Sequence, residues 1–190
     1  MRPSGYLKLL FICLVVYSMQ VSAADIQREL DQAAAAGDLK KLEMLVLMGA
    51  DVTQTGAGGK TALMRAAIFG NLRAVRFLAA EGAPLNAQDE LGNTALILAS
   101  TSGYTEVSEA LLVLGASPDV KNNLQRTAIM EAAIGGHREV IKVLLRYGAE
   151  TESVDSQGIT AERHAVRAGS KSLGKLINKA TKASTKAKGG

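Results

Sequence analysis

A period of 33 residues constrains this 190-residue chain more than any other feature. The stretch GGHREVIKVLLRYGAE (135–150) recurs 33 residues earlier as SGYTEVSEALLVLGAS, then as FGNLRAVRFLAAEGAP, then as AGDLKKLEMLVLMGAD (36–51). Gly49, Gly82, Gly115 and Gly148 keep their place, each followed by alanine. Thr61, Thr94, Thr127 and Thr160 form a second series, and Leu45, Leu78, Leu111 and Leu144 a third. Repetition at this spacing marks a solenoid, in which a unit too small to own a core buries its apolar face against its neighbours. His137 stands outside the constant frame, since Asp38, Asn71 and Tyr104 take its place in the other copies. It reads as framing material rather than as chemistry.

Each recurring residue has a local task. Thr61 and its equivalents precede an Ala-rich segment, where a hydroxyl accepts the first free amide hydrogens of a helix. The small pairs Ala66-Ala67, Ala99-Ser100 and Ala132-Ala133 allow a second helix to approach closely. Gly70, Gly103 and Gly136 then end the first helix by adopting a left-handed conformation. Val140, Val143 and Leu144 give the second helix one buried stripe. A first copy from Asp25, expected to cap its helix, and a last copy to about residue 180 bring the total to about five. In the last copy Gly174 and Asn178 replace Ile141 and Leu145. One face of that helix is therefore expected to stay unburied, as a terminal repeat requires.

This helix-turn-helix unit resembles the ankyrin repeat, over Ile26 to about Lys179. The family's Thr-Pro-Leu-His entry appears as TALM (61–64), TALI (94–97), TAIM (127–130) and TAER (160–163). Alanine is a good helix former and replaces the proline throughout. Met64, Ile97 and Met130 replace the histidine and should pack where the family makes a polar network. The resemblance implies an all-α solenoid with capping end repeats that acts by binding another protein, without catalytic residues, cofactor or metal. His137 stands where such repeats often carry histidine. His164 shares a column with Arg65, Leu98 and Glu131 and reads as partly exposed.

In the family, partners meet the inter-repeat turns and the inward surface of the first helices. Carried over, the turn positions are Lys60, Glu90, Leu91, Asn93, Lys121, Asn123, Leu124 and Arg126; the inner-helix positions are Ile68, Phe69, Thr101, Ser102 and Ile134. Phe69, Leu91, Leu124 and Ile134 are apolar where a framework accepts polar residues, and apolar anchors rimmed by Arg and Asn resemble a binding hot spot; the alternative for Leu91 and Leu124 is that each tucks into the neighbouring turn.

Other motifs fail on spacing. TGAGGKT (55–61) lacks the first glycine of a phosphate loop, because position 54 is Gln54, and no strand precedes it. Two histidines and a single cysteine, Cys13, build no zinc centre. Basic residues do not point to nucleic acid either. Between Ala24 and Ser170 there are 14 basic and 18 acidic residues, and the excess of Lys and Arg lies at the two ends.

The ends carry separate signals. Arg2 and Lys8, the apolar run Leu9–Tyr17 and the small residues Val21-Ser22-Ala23 together form a secretory signal over residues 1–23. The run is short for a bilayer span, which needs roughly 20 apolar residues. With no cysteine after Cys13 and no glycosylation sequon, a periplasmic or secreted monomer is expected. The repeats then occupy 24–180, and 181–190 form a flexible basic tail. Its three lysines, with Lys171, Lys175 and Lys179 just upstream, suit contact with anionic lipid, as in a rival reading of the chain as an envelope-attached adaptor; a solvated tail that aids solubility is the expectation set against it. N-terminal sequencing of protein from its native cell should find Ala24 or Asp25 first. Intact Met1 in the cytosol would contradict export.

Overall fold

The computed structural model describes residues 23–188, so the expected signal lies outside the described residues except for Ala23. Among the described residues ten α-helices pair into five repeats. The inner helices are α1 (Ala23–Ala36), α3 (Ala62–Ile68), α5 (Ala95–Ser102), α7 (Ala128–Ile134) and α9 (Ala161–Arg167). Their outer partners are α2 (Leu39–Leu47), α4 (Leu72–Ala80), α6 (Thr105–Val113), α8 (Arg138–Arg146) and α10 (Lys171–Lys188). Each inner helix packs on its own outer helix and on the next inner helix, so the stack is held by nearest neighbours. Among the described residues the only β-pairing is two isolated bridges, Thr55–Thr61 and Val154–Thr160.

Three of the four threonines cap their helices as expected. Thr61, Thr94 and Thr160 accept the N–H groups of Met64, Ile97 and Arg163 at 3.3, 3.2 and 3.4 Å. Thr127 does not; its carbonyl instead takes both Met130 N–H and Glu131 N–H, at 3.1 and 3.2 Å. The alanines behind each cap are buried, and Met64, Ile97 and Met130 fill the core between inner helices. Leu45, Leu78, Leu111 and Leu144 seal inner against outer layers.

Glycine between the two helices of a repeat has a second reason besides its left-handed backbone. Gly70 and Gly103 have φ of 72° and 78°. A methyl group on Gly70 would fall 2.6 Å from Tyr104 Cε1, and one on Gly103 would fall 2.5 Å from His137 Nδ1. The variable column therefore staples repeats together. Asn71 Nδ2 donates to the carbonyls of Ala34 and Ala35 at 2.9 and 2.8 Å, and His137 Nε2 lies 3.0 Å from the Thr101 carbonyl.

Four expectations are corrected. Asp25 does not cap α1, because the helix already includes Ala23; its carboxylate lies in the first turn, 3.5 Å from Arg28. His164 is buried rather than partly exposed, because Asp155 of the preceding loop accepts its ring. Gly174 is buried too, since its missing side chain lets α10 close onto Val166. The terminal helix runs to Lys188, into the segment expected to be a flexible tail. Alanine and lysine favour helix, and Thr181 Oγ1 lies 2.8 Å from Thr151 Oγ1, tying the added turns to the fourth repeat's exit loop.

Leu111→Ala should cost about 2–5 kcal/mol in a denaturant titration, as for other buried leucines. Gly103→Ala should cost more than about 1 kcal/mol through its positive φ and the His137 ring. His137→Ala removes one half-buried contact and should cost clearly less than either; a His137→Ala chain that fails to fold would refute the framing role.

Candidate partner-binding surface

The inter-repeat loops carry most of the expected site, and one side chain shapes each of them. Asp89 Oδ1 accepts the N–H groups of Leu91 (3.0 Å) and Asn93 (2.8 Å). Asn122 Oδ1 does the same for Leu124 and Arg126, both at 3.0 Å, and Asp155 Oδ1 for Gln157 and Ile159, both at 2.9 Å. Such Asx closures fix a turn without regular secondary structure. The first loop has Gly56 in this column, and the carboxylate of Asp31 from α1 fills the vacant space beside Arg65, with which it pairs at 3.0 Å. Burial raises the Asp31 carboxyl above its usual range despite the Arg65 charge.

The same side chains couple successive loops. Lys60 Nζ lies 3.0 Å from Asp89 Oδ2, Asn122 Nδ2 donates to Asn93 Oδ1 at 3.0 Å, and Arg126 Nε lies 3.4 Å from Asp155 Oδ2. Arg126 also faces Glu131 at 3.5 Å, and His164 Nε2 meets Asp155 Oδ2 at 2.8 Å. Backbone joins in: Asn123 N–H donates to Leu91 O and Ser156 N–H to Leu124 O, both at 3.0 Å. Lys60, Asn93 and Arg126, expected at the partner surface, therefore lie half-buried with their polar groups committed to the next repeat. Asn123 is exposed, but its Nδ2 donates to Glu90 O at 3.0 Å.

What the loops leave outward is apolar. Leu91 is 64% exposed, Leu124 51% and Phe69 56%, so neither leucine tucks into the neighbouring turn. Ile134 is exposed at the end of α7, whereas Ile68 is half-buried. Thr101 and Ser102 are exposed beside them, though Thr101 Oγ1 donates to Ile97 O at 2.9 Å. Glu90 and Lys121 are exposed at the tips. Phe69 also overhangs a groove toward the first repeat, lined by Gln27, Arg28, Asp31 and Arg65.

Sequence reasoning missed the Asp89, Asn122 and Asp155 column, although these residues are 33 apart and the period alone could have found them. It also missed a second apolar exposure on the outer layer, at Met44, Leu47, Met48, Val113 and Leu114. Among the described residues no His, Cys, Asp and Glu group has the geometry to hold a metal ion, and no helix is long and apolar enough to cross a membrane.

The family model for ankyrin repeats (three copies) matches residues 30–122 and again 110–187. No curated protein matches the chain.

The Asp155 node sets a pH dependence. Burial alone would push this carboxyl up, but the Ile159 and Gln157 amides and the His164 ring outweigh it and hold it down to about 2. An unfolded aspartate titrates near about 3.9, so between about pH 4 and 2 the unfolded chain binds a proton that the folded chain refuses. The stabilisation is complete above about pH 4 and is lost as pH falls to about 2. Melting temperatures should fall across that window, and Asp155→Asn, less stable at neutral pH, should fall less steeply. Parallel curves for the two chains would remove Asp155 as the acid-sensitive group.

Proposed function

We propose that this chain, which belongs to the ankyrin-repeat family, grips another protein outside the cytoplasm through its loop tips and the exposed ends of α3, α5 and α7. Ankyrin repeats are protein-interaction modules, and typical members are non-catalytic. The observation that carries the choice of surface is the set Phe69, Leu91, Leu124 and Ile134, exposed on a framework whose polar groups are largely satisfied internally. Large apolar side chains held rigidly in water lose little entropy on docking, which is how a few anchors come to dominate an interface. Polar Glu90, Lys121, Thr101 and Ser102 supply a rim that selects among partners.

Export rests on the charged start, apolar run and small-residue end of the first 23 residues. In that compartment a binding module supports an envelope enzyme as an accessory factor or masks a toxin as an inhibitor. The two roles differ in whether the captured partner gains or loses activity.

Affinity capture from envelope extract, quantified by mass spectrometry, tests the surface. Phe69→Ala and Leu124→Ala should each weaken capture of the same protein by about tenfold or more, as truncation of an anchor does, with melting unchanged. Charge reversal at Glu90 should weaken it less. Arg126 is a poor probe because its loss also breaks the link to Asp155. Equal capture by wild type and the Phe69→Ala/Leu124→Ala double variant would place binding elsewhere, with the outer-layer Leu47 and Val113 face the next candidate.

A further inference from the structure

Charge in the last repeat is arranged on a helix in a way that its composition does not reveal. After Glu162 the chain contains no acidic residue, yet it carries Arg163, Arg167 and six lysines. Five of those lysines, Lys171, Lys175, Lys179, Lys182 and Lys186, lie on α10 at steps of four, four, three and four residues. At about 100° per residue these steps keep all five within an arc of roughly 80°, along a line of about 22 Å. The opposite side holds Leu173 and Ile177, both buried against the repeat stack. The lysine side must therefore face water, and all five are exposed. Among the described residues none of them pairs with a carboxylate within 4 Å. Glu162 shares a shallow groove with Lys175, Lys179 and Lys182 and accepts Asn178 Nδ2 at 2.9 Å, while Glu150 and Glu152 line a hollow with Ala180, Thr181 and Ser184 on another side of α10.

We propose that this lysine face docks the C-terminal end of the solenoid onto an anionic phospholipid bilayer. A single straight row on a convex helix meets a flat charged surface along its whole length. Strand recognition would favour a groove with interleaved aromatics for stacking, and α10 has no aromatic residue. The apolar side of α10 is occupied by its own repeat, so attachment is electrostatic and peripheral, without insertion. The rest of the solenoid, with 14 basic against 18 acidic residues between Ala24 and Ser170, is repelled by the same surface. The molecule would then stand on its last repeat. This attachment is independent of the protein-binding surface.

Sedimentation of the chain from Ala24 onward with vesicles tests the proposal, using phosphatidylglycerol and phosphatidylcholine in equal parts against phosphatidylcholine alone. All variants share one N-terminal form. The protein should bind the anionic vesicles at low salt, ignore the neutral ones, and release as ionic strength rises and the Debye length contracts. Each lysine near such a surface is worth up to about fivefold in partitioning, so replacing all five by glutamine should lower binding by at least about fiftyfold. A variant with unchanged charge, Lys182→Ala, Ala183→Lys, Ser184→Lys and Lys186→Ala, moves two lysines off the row and should bind several-fold more weakly. Phe69→Ala should bind as wild type, which separates this site from the partner surface. The proposal fails if wild type ignores anionic vesicles, if the glutamine variant binds them equally, or if the rearranged variant does, since bulk charge would then suffice. Inorganic polyphosphate that strips the protein from vesicles at matched phosphate would identify a soluble polyanion as the ligand and overturn the membrane assignment.

Discussion

Burial between neighbours is the constraint from which the rest of this structure follows. A single pair such as α5 and α6 has Leu96, Ile97 and Ala99 facing one way and Val107 and Leu111 another, and two short helices cannot cover all of them. Stacking solves this, because each repeat supplies the wall its neighbour lacks. The small residues Ala66, Ala99 and Ala132 bring the inner helices close enough for Met64, Ile97 and Met130 to fill the interface. Glycine at 70 and 103 admits the ring of the next repeat. The 33-residue period is this packing geometry written along the chain.

Polar groups reinforce the same stacking. The Asp89, Asn122 and Asp155 side chains each fold their own loop with one atom and meet the preceding repeat with the other. Buried carboxylates would be costly alone, but amide donors and an adjoining cation offset the lost hydration. The loops are thereby shaped before any partner arrives. Their tips present Leu91 and Leu124 because the neighbouring polar side chains are drawn inward. Exposed apolar tips and a buried structural ladder thus alternate within the same short loops.

Charge is divided along the solenoid. Its body is mildly acidic, whereas the last helix carries only basic charge, all but its final lysine gathered on one side. The repeat pattern explains why this end is free to do so. Among the described residues α10 packs on α9 and α8, which leaves its outer side facing water. Leu173 and Ile177 hold the inner side, and lysine is cheap to keep in water.

The sequence alone determined the repeat count, the helix pairs, three of the four threonine caps and the leucine core, because these depend on spacing within one repeat. Fold class was legible for the same reason, whereas the exposure of Phe69, Leu91, Leu124 and Ile134 was decided by the fold. Only the tertiary structure decided which polar residues remained available. Lys60, Asn93 and Arg126 read as surface in the chain, yet each reaches a side chain some 29 residues away across the stack. His164 read as partly exposed until Asp155 met it, and Asp31 substituted for the side chain that Gly56 lacks. Such contacts join positions whose separation in sequence says nothing about which atom points where. The lysine row sat between the two cases. Its helical spacing was present in the sequence, but a row is a face only if the segment is a helix and its other side is covered, and packing against α9 decided both.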